Sequence, residues 1–285
     1  MYDAIVVGKG PAGLQAAIYI ARAGLSVIVI GENDSALLKA IHVDNYFGFE
    51  DTISGRELLE QGERQAKRFG AKILTAHVLN ISYADNGFDV KTNVDTYNAK
   101  TILIATGKPL PPAIIPGIKK FEGKGVSYCT TCDGFFFRGK AVGILGNKDY
   151  AISEAEEMEK FTPNITIYTN GRELEVEKSK YRVITKKIKA LQGENVLEKV
   201  VFEDDTEEDL QGLFIALDRP AGAEFARKLG IEIENDRIKT DEDFQTNIPG
   251  IFAAGDCVSD FKQISVAVGQ ATLAARGMIK YAKNA

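Results

Sequence analysis

The stretch Ala4-Ile5-Val6-Val7-Gly8-Lys9-Gly10-Pro11-Ala12-Gly13 decides the fold of this 285-residue chain. Its β-rich opening ends in a glycine turn, Leu14 to Ala23 continues in helix formers, and Ser26 to Ile30 returns as an apolar strand. In such a strand-turn-helix-strand unit Gly8 makes the tight bend. Gly10 lets backbone amides approach a pyrophosphate, and Gly13 lets helix and strand pack closely, with Pro11 and Ala12 between them at the helix start. The helix N-terminus adds partial positive charge for phosphates. Glu32, about 20 residues beyond the turn, is the candidate partner of a ribose hydroxyl. The turn predicts a bound dinucleotide without choosing between FAD and NAD.

Working outward, a second unit of the same kind begins at Ala141-Val142-Gly143-Ile144-Leu145. It continues through a helix from about Ala151 to Phe161 and returns as Ile165-Thr166-Ile167-Tyr168, a faint internal repeat. Half of the eight prolines fall between the two units, at Pro109, Pro111, Pro112 and Pro116, and read as a semi-rigid crossing. The acidic stretch Glu203 to Asp209, before the apolar run Gly212 to Ala216, reads as the return crossing. The predicted layout is discontinuous: 1–111 with 212–285 forms an outer dinucleotide-binding domain, and 112–211 is inserted into it.

A net charge of -5 offers no basic stripe for a polyanion, which sets nucleic acid aside. No apolar run is long enough to cross a bilayer, and Met1-Tyr2-Asp3 has no basic leader, so a cytoplasmic protein without a membrane partner is expected.

Of three cysteines, Cys129 and Cys132 form a close pair, which in a reducing compartment means metal binding or redox work. Metal is the weaker reading: a tetrahedral zinc site needs four ligands, and only Cys257, His42 and His77 remain to complete one. CxxC spacing suits a reversible disulfide with an available thiolate, and Asp133, next in sequence, is placed to carry the proton. The polar Thr130-Thr131-Asp133 surroundings argue against two inert buried thiols. Cys257 has no close cysteine in sequence and is expected to be a packing residue.

Three further segments carry a family resemblance. Ala105-Thr106-Gly107, at the end of the apolar run Thr101 to Ile104, resembles the ATG turn of two-dinucleotide-domain flavoproteins. Ile251 to Asp256 resembles their second flavin motif, with Gly255 and Asp256 at its end. Val126-Ser127-Tyr128-Cys129-Thr130-Thr131-Cys132-Asp133-Gly134-Phe135-Phe136 closely resembles the active site of low-molecular-weight thioredoxin reductases, and the likeness extends over nearly the whole chain. The apolar positions Ile264, Ala267, Val268, Ala271, Ala275 and Met278 independently predict a buried helix starting near Gln263.

The resemblance implies an α/β chain of two Rossmann-like domains in the FAD/NAD(P)-linked reductase fold, the second inserted into the first. It implies FAD as cofactor, with Asp256 on the ribitol or a nearby phosphate and Gln263 and Ile264 at the flavin. It also implies a homodimer and thioredoxin as partner. Cys132 would face the flavin, Cys129 would attack the partner disulfide, and Asp133 would be the acid-base residue.

The chain departs from the family at the second glycine turn, where Gly146-Asn147-Lys148-Asp149 puts Lys148 in place of the middle glycine. Thr169-Asn170-Gly171 replaces the basic cluster for a 2'-phosphate, leaving Arg172 as the nearest cation. A side chain and a carboxylate at that turn oppose a pyrophosphate. The pattern therefore resembles the ferredoxin-dependent flavin thioredoxin reductases, with ferredoxin as electron donor and Lys119, Lys120, Lys124, Arg138 and Lys140 as basic residues able to meet an acidic one. Three alternatives remain: a reductase using NAD(P)H through an atypical site, an FAD-dependent dithiol oxidase using oxygen, and a flavin-binding scaffold without turnover.

Overall fold

The computed structural model describes residues 1–107, 114–176, 179–217, 222–235 and 237–284. The chain divides into two compact units, Met1–Leu110 with Ala221–Ala285, and Pro111–Pro220. The prolines at 109, 111 and 112 lie outside the described residues.

In the first unit, β1 (Tyr2–Val7), α1 (Pro11–Arg22) and β2 (Val27–Ile30) form the expected opening motif. The helix begins three residues before Leu14 because Pro11 occupies its first turn, where a missing N–H costs nothing. Next come α2 (Gly55–Arg68), capped by the Ser54 hydroxyl accepting from the Glu57 amide at 3.1 Å, and β3 (Lys72–Leu74). A meander of β4 (Val78–Ala84), β5 (Gly87–Thr92) and β6 (Thr96–Ile104) completes the first pass.

The second unit runs α3 (Ile118–Phe121), β7 (Val126–Ser127), α4 (Thr130–Asp133), β8 (Val142–Leu145), α5 (Asp149–Met158), β9 (Ile165–Tyr168) and β10 (Arg182–Ile184). It ends with β11 (Ile188–Gln192), β12 (Lys199–Phe202), β13 (Glu207–Asp209) and β14 (Gly212–Ile215). The chain then returns to the first unit with α6 (Gly222–Leu229), the short pair β15 (Ile233–Glu234) and β16 (Arg237–Ile238), β17 (Ile251–Ala253) and α7 (Ile264–Asn284).

Unit one is built on a seven-stranded sheet, β3-β2-β1-β6-β5-β4, with β17 also paired to β6. Pairs among β3, β2, β1, β6 and β17 are parallel. All four residues of β2 are buried, as parallel strands covered on both faces require. On one face Ala16 and Ala17 of α1 share a core with Ala267, Ala271, Ala274 and Ala275 of α7, small residues that let the two helices approach closely. On the other face Phe225, Ala226 and Leu229 of α6 cover Ile5, Ile28 and Ile102. Each fully buried side chain of the size of Phe225 or Ile5 contributes about 1.5–3 kcal/mol by leaving water.

Unit two carries the parallel sheet β10-β9-β8-β14-β7 and the separate antiparallel sheet β11-β12-β13. This corrects two expectations. The apolar run from Gly212 belongs here, Phe214 pairing with Ile144 on one side and with Ser127 on the other. The acidic stretch before it is no crossing: Glu207–Asp209 pairs with Val201–Lys199, and Asp205 makes the turn in left-handed backbone at φ 62°. An apolar run states that a strand is buried and not which sheet buries it, so the boundary placed before 212 fell inside this unit.

No helix among the described residues is long and apolar enough to cross a membrane.

Candidate active site

In the second unit, Cys129 caps the single turn of α4, and the pair is joined as the Cys129–Cys132 disulfide with Cα atoms 5.3 Å apart. The Cys132 amide donates to the Sγ of Cys129 at 3.1 Å. Cys129 is 4% exposed, whereas Cys132 is open to solvent. The Asp133 amide donates to the Cys129 carbonyl, and its carboxylate accepts from the Ser127 hydroxyl at 2.6 Å. Beyond Gly134, Phe135 and Phe136 are both exposed, and Arg138 lies over the Phe135 ring.

In the first unit, three separate sequence segments converge. Gly8, at φ +119°, lies so close to the end of β6 that a Cβ there would stand 2.2 Å from the Ala105 carbonyl oxygen. A Cβ on Gly13 would stand 1.9 Å from the Gly8 carbonyl oxygen. These two glycines are demanded by the protein itself. Gly10 is different: only the Ser35 hydroxyl, at 3.7 Å, would meet its Cβ, and no side chain caps α1. Gly255 brings the loop after β17 against Ala12, and its amide donates to the Gln270 side chain at 2.9 Å. Gln263 immediately precedes α7, accepts from the Asn45 side-chain amide, and is followed by Ile264 as the first helical residue. The Thr106 hydroxyl is buried without a hydrogen-bond partner among the described residues. Glu32 ends the β2 side of the site, 3.4 Å from the Nε2 of His77.

The turn after β8 is bonded to a later loop of the same unit. A Cβ on Gly146 would strike the Ala216 carbonyl oxygen at 2.1 Å, so this glycine is kept for packing. Asn147 is 1% exposed and its side-chain amide donates to the Glu173 carbonyl and to the Glu175 carboxylate. Glu175 returns a backbone bond to Asn147 at 2.8 Å, and Lys148 pairs with its carboxylate at 3.8 Å. Asp149 adds a second carboxylate in the first turn of α5.

Residues 2–271 match the pyridine nucleotide-disulphide oxidoreductase family. The chain belongs to this family. Its relatives there are thioredoxin reductases. It is 34% identical to that of Treponema pallidum (strain Nichols), over 98% of this chain and 97% of the other. Among solved structures it is 41% identical to the atypical thioredoxin reductase TRi from Desulfovibrio vulgaris Hildenborough, with a TM-score of 0.96 over 100% and 99% of the two chains. It is 31% identical to a ferredoxin-flavin thioredoxin reductase from Clostridium acetobutylicum, with a TM-score of 0.76 over 100% and 99%. The two-domain reductase fold expected from the sequence is therefore this chain's fold, and the activity is that of a disulfide oxidoreductase of the thioredoxin reductase kind.

Members of this family are FAD-binding flavoenzymes, and the first unit fits FAD. The space over Gly10, the uncapped start of α1 and the unpartnered Thr106 hydroxyl are what a dinucleotide would fill. Cys257 is wholly buried, which pushes its thiol up to about 12 and makes it inert. Sequence reading missed Ser127, which joins Asp133 to Cys129, and the Glu173–Glu175 loop over the second turn; neither carries a local motif. It also missed Lys9, whose ammonium donates to Asn33 and Thr75 beside the β2 end. Among the described residues no cluster of three His, Cys, Asp or Glu is arranged for a metal.

Proposed function

We propose that this chain is an FAD-dependent thioredoxin reductase that draws its electrons from a reduced ferredoxin rather than from NADPH. The observation that carries the reading is the bonded turn after β8. A nucleotide pyrophosphate needs a side-chain-free turn and open amides at a helix start. Here Lys148 and Asn147 are tied to Glu175, and Asp149 adds further negative charge. The likeness to a ferredoxin-flavin enzyme supports the same donor.

Gly8, Gly10, Pro11, Ala12 and Gly13 would hold the FAD pyrophosphate, Glu32 the adenosine ribose, and Ala105, Thr106, Gly107, Gly255, Asp256, Gln263 and Ile264 the remainder. Bound FAD supplies a carrier able to take electrons singly and give them in pairs. Cys132 is the sulfur that receives the pair, Cys129 attacks the thioredoxin disulfide, and Asp133 carries the protons. Because Cys129 is buried, this assignment requires that its sulfur be uncovered when thioredoxin docks. The exposed Phe135 and Phe136 beside the disulfide offer the docking partner an apolar contact. Ferredoxins near -400 mV and thioredoxin near -270 mV differ by about 130 mV, so two electrons run downhill by about 6 kcal/mol. The reading includes a homodimer in the cytoplasm.

Steady-state reduction of thioredoxin tests it, with NADPH, NADH and enzymatically reduced ferredoxin supplied in turn. Turnover with ferredoxin alone is expected. Turnover with NADPH alone would replace this reading by a nicotinamide-dependent one, and rapid oxygen uptake with a small dithiol would replace it by an oxidase.

A further inference from the structure

We propose that Ser127 is a positioning residue for the proton transfers of disulfide exchange. It is 5% exposed in β7, opposite Phe214, where packing gives no reason for a polar side chain. Its hydroxyl donates to Asp133 Oδ2 at 2.6 Å, and Ser127 Oγ in turn accepts from the Cys129 amide at 3.1 Å. The Asp133 amide in turn donates to the Cys129 carbonyl at 3.1 Å. Asp133 is therefore tied to Cys129 twice, through its own backbone amide and, by way of one buried hydroxyl, through its carboxylate. A half-buried aspartate on a single helical turn would otherwise sample several rotamers, and acid-base efficiency depends on the proton carrier being held in place.

The exchange then balances through Asp133. Its carboxylate takes the Cys129 thiol proton as the Cys129 sulfur bonds to one thioredoxin sulfur and the thioredoxin S–S bond breaks, and it gives that proton to the departing thiolate. It next takes the Cys132 proton as that sulfur attacks Cys129, and passes it to the second departing thiolate. A protein dithiol and oxidised thioredoxin become a protein disulfide and reduced thioredoxin.

This rests on Asp133 as the proton carrier and is independent of the electron donor, so the test begins from photochemically reduced holoenzyme mixed anaerobically with oxidised thioredoxin. General acid-base catalysis contributes about 10²–10⁴-fold. Ser127→Ala, which keeps the carboxylate and loses its orientation, is expected to lower the exchange rate about tenfold, with the thioredoxin concentration at half-saturation changed less than twofold. Ser127→Thr, which keeps the hydroxyl, is expected to restore most of the rate. Asp133→Asn is expected to lower it about 100-fold, and adding Ser127→Ala to Asp133→Asn to cost nothing further, because one residue acts through the other. A Ser127→Ala rate within twofold of the parent overturns the proposal, as does a double variant in which the two losses multiply. An unaffected Asp133→Asn variant overturns it together with the role given to Asp133.

Discussion

The backbone amide of Glu175 donates to the Asn147 carbonyl at 2.8 Å, while the Glu175 carboxylate accepts from the Asn147 side-chain amide at 3.1 Å. Two residues 28 positions apart are thus fastened to each other beside the turn that follows β8. Asn147→Ala removes a buried donor that serves both Glu173 and Glu175. Water can reach both partners, so each lost bond costs about 0.5–1.5 kcal/mol and the denaturation temperature should fall by a few degrees, with no gain of NADPH binding by fluorescence quenching.

The glycines of the first turn separate ligand from packing. Gly10→Ala meets no protein atom closer than 3.7 Å and should leave the stability of the flavin-free protein within about 1 kcal/mol, while weakening FAD binding at least tenfold as read by flavin fluorescence. Gly13→Ala forces a methyl within 1.9 Å of a carbonyl oxygen and should fail to fold.

The two active-site sulfurs differ in exposure, and trapping assigns their roles. Cys132→Ser should accumulate a mixed disulfide between Cys129 and thioredoxin, seen by mass spectrometry of the non-reduced adduct. Cys129→Ser should accumulate none. The reverse pattern would give the attack to Cys132, the sulfur open to solvent here.

Cys257 gives a pH signature. Burial keeps its thiol protonated up to about 12, against an ordinary value of 9.0. Between those values the unfolded chain binds fewer protons at this site than the folded one, so its contribution to stability is present below pH 9 and is lost as pH rises towards 12. Cys257→Ala should therefore show a shallower loss of stability between pH 8 and pH 10 in guanidinium denaturation. In the native protein at pH 8, Cys257 should resist alkylation that proceeds once the chain is unfolded.

The parts of this protein legible in the sequence are those in which the chemistry is local. Gly8, Gly10 and Gly13 lie within six residues, and Cys129, Cys132 and Asp133 within five, so spacing predicts a dinucleotide turn and a metal or redox pair, and the family resemblance narrows both. The α7 stripe is equally readable, because a period of 3.6 written in Ala267, Ala271 and Ala275 persists whatever the helix packs against. What escaped depends on pairing between distant segments. Gly212–Ile215 has the same apolar look in either unit, and only its register with Val142–Leu145 decides which sheet it joins. The bonding of the second turn to Glu175 and the tie from Ser127 to Asp133 rest on a glutamate in an acidic loop and a serine in a two-residue strand, neither of which carries a sign of its partner.

The most direct test of the central claim is an anaerobic titration of the yellow holoprotein, following flavin absorbance as reduced ferredoxin, NADPH or NADH is added separately and oxidised thioredoxin afterwards. The account predicts bleaching by ferredoxin alone and recovery of colour on adding thioredoxin. Prompt bleaching by NADPH at micromolar concentration would contradict it and would mean that the turn held by Asn147 and Glu175 opens to admit the nucleotide.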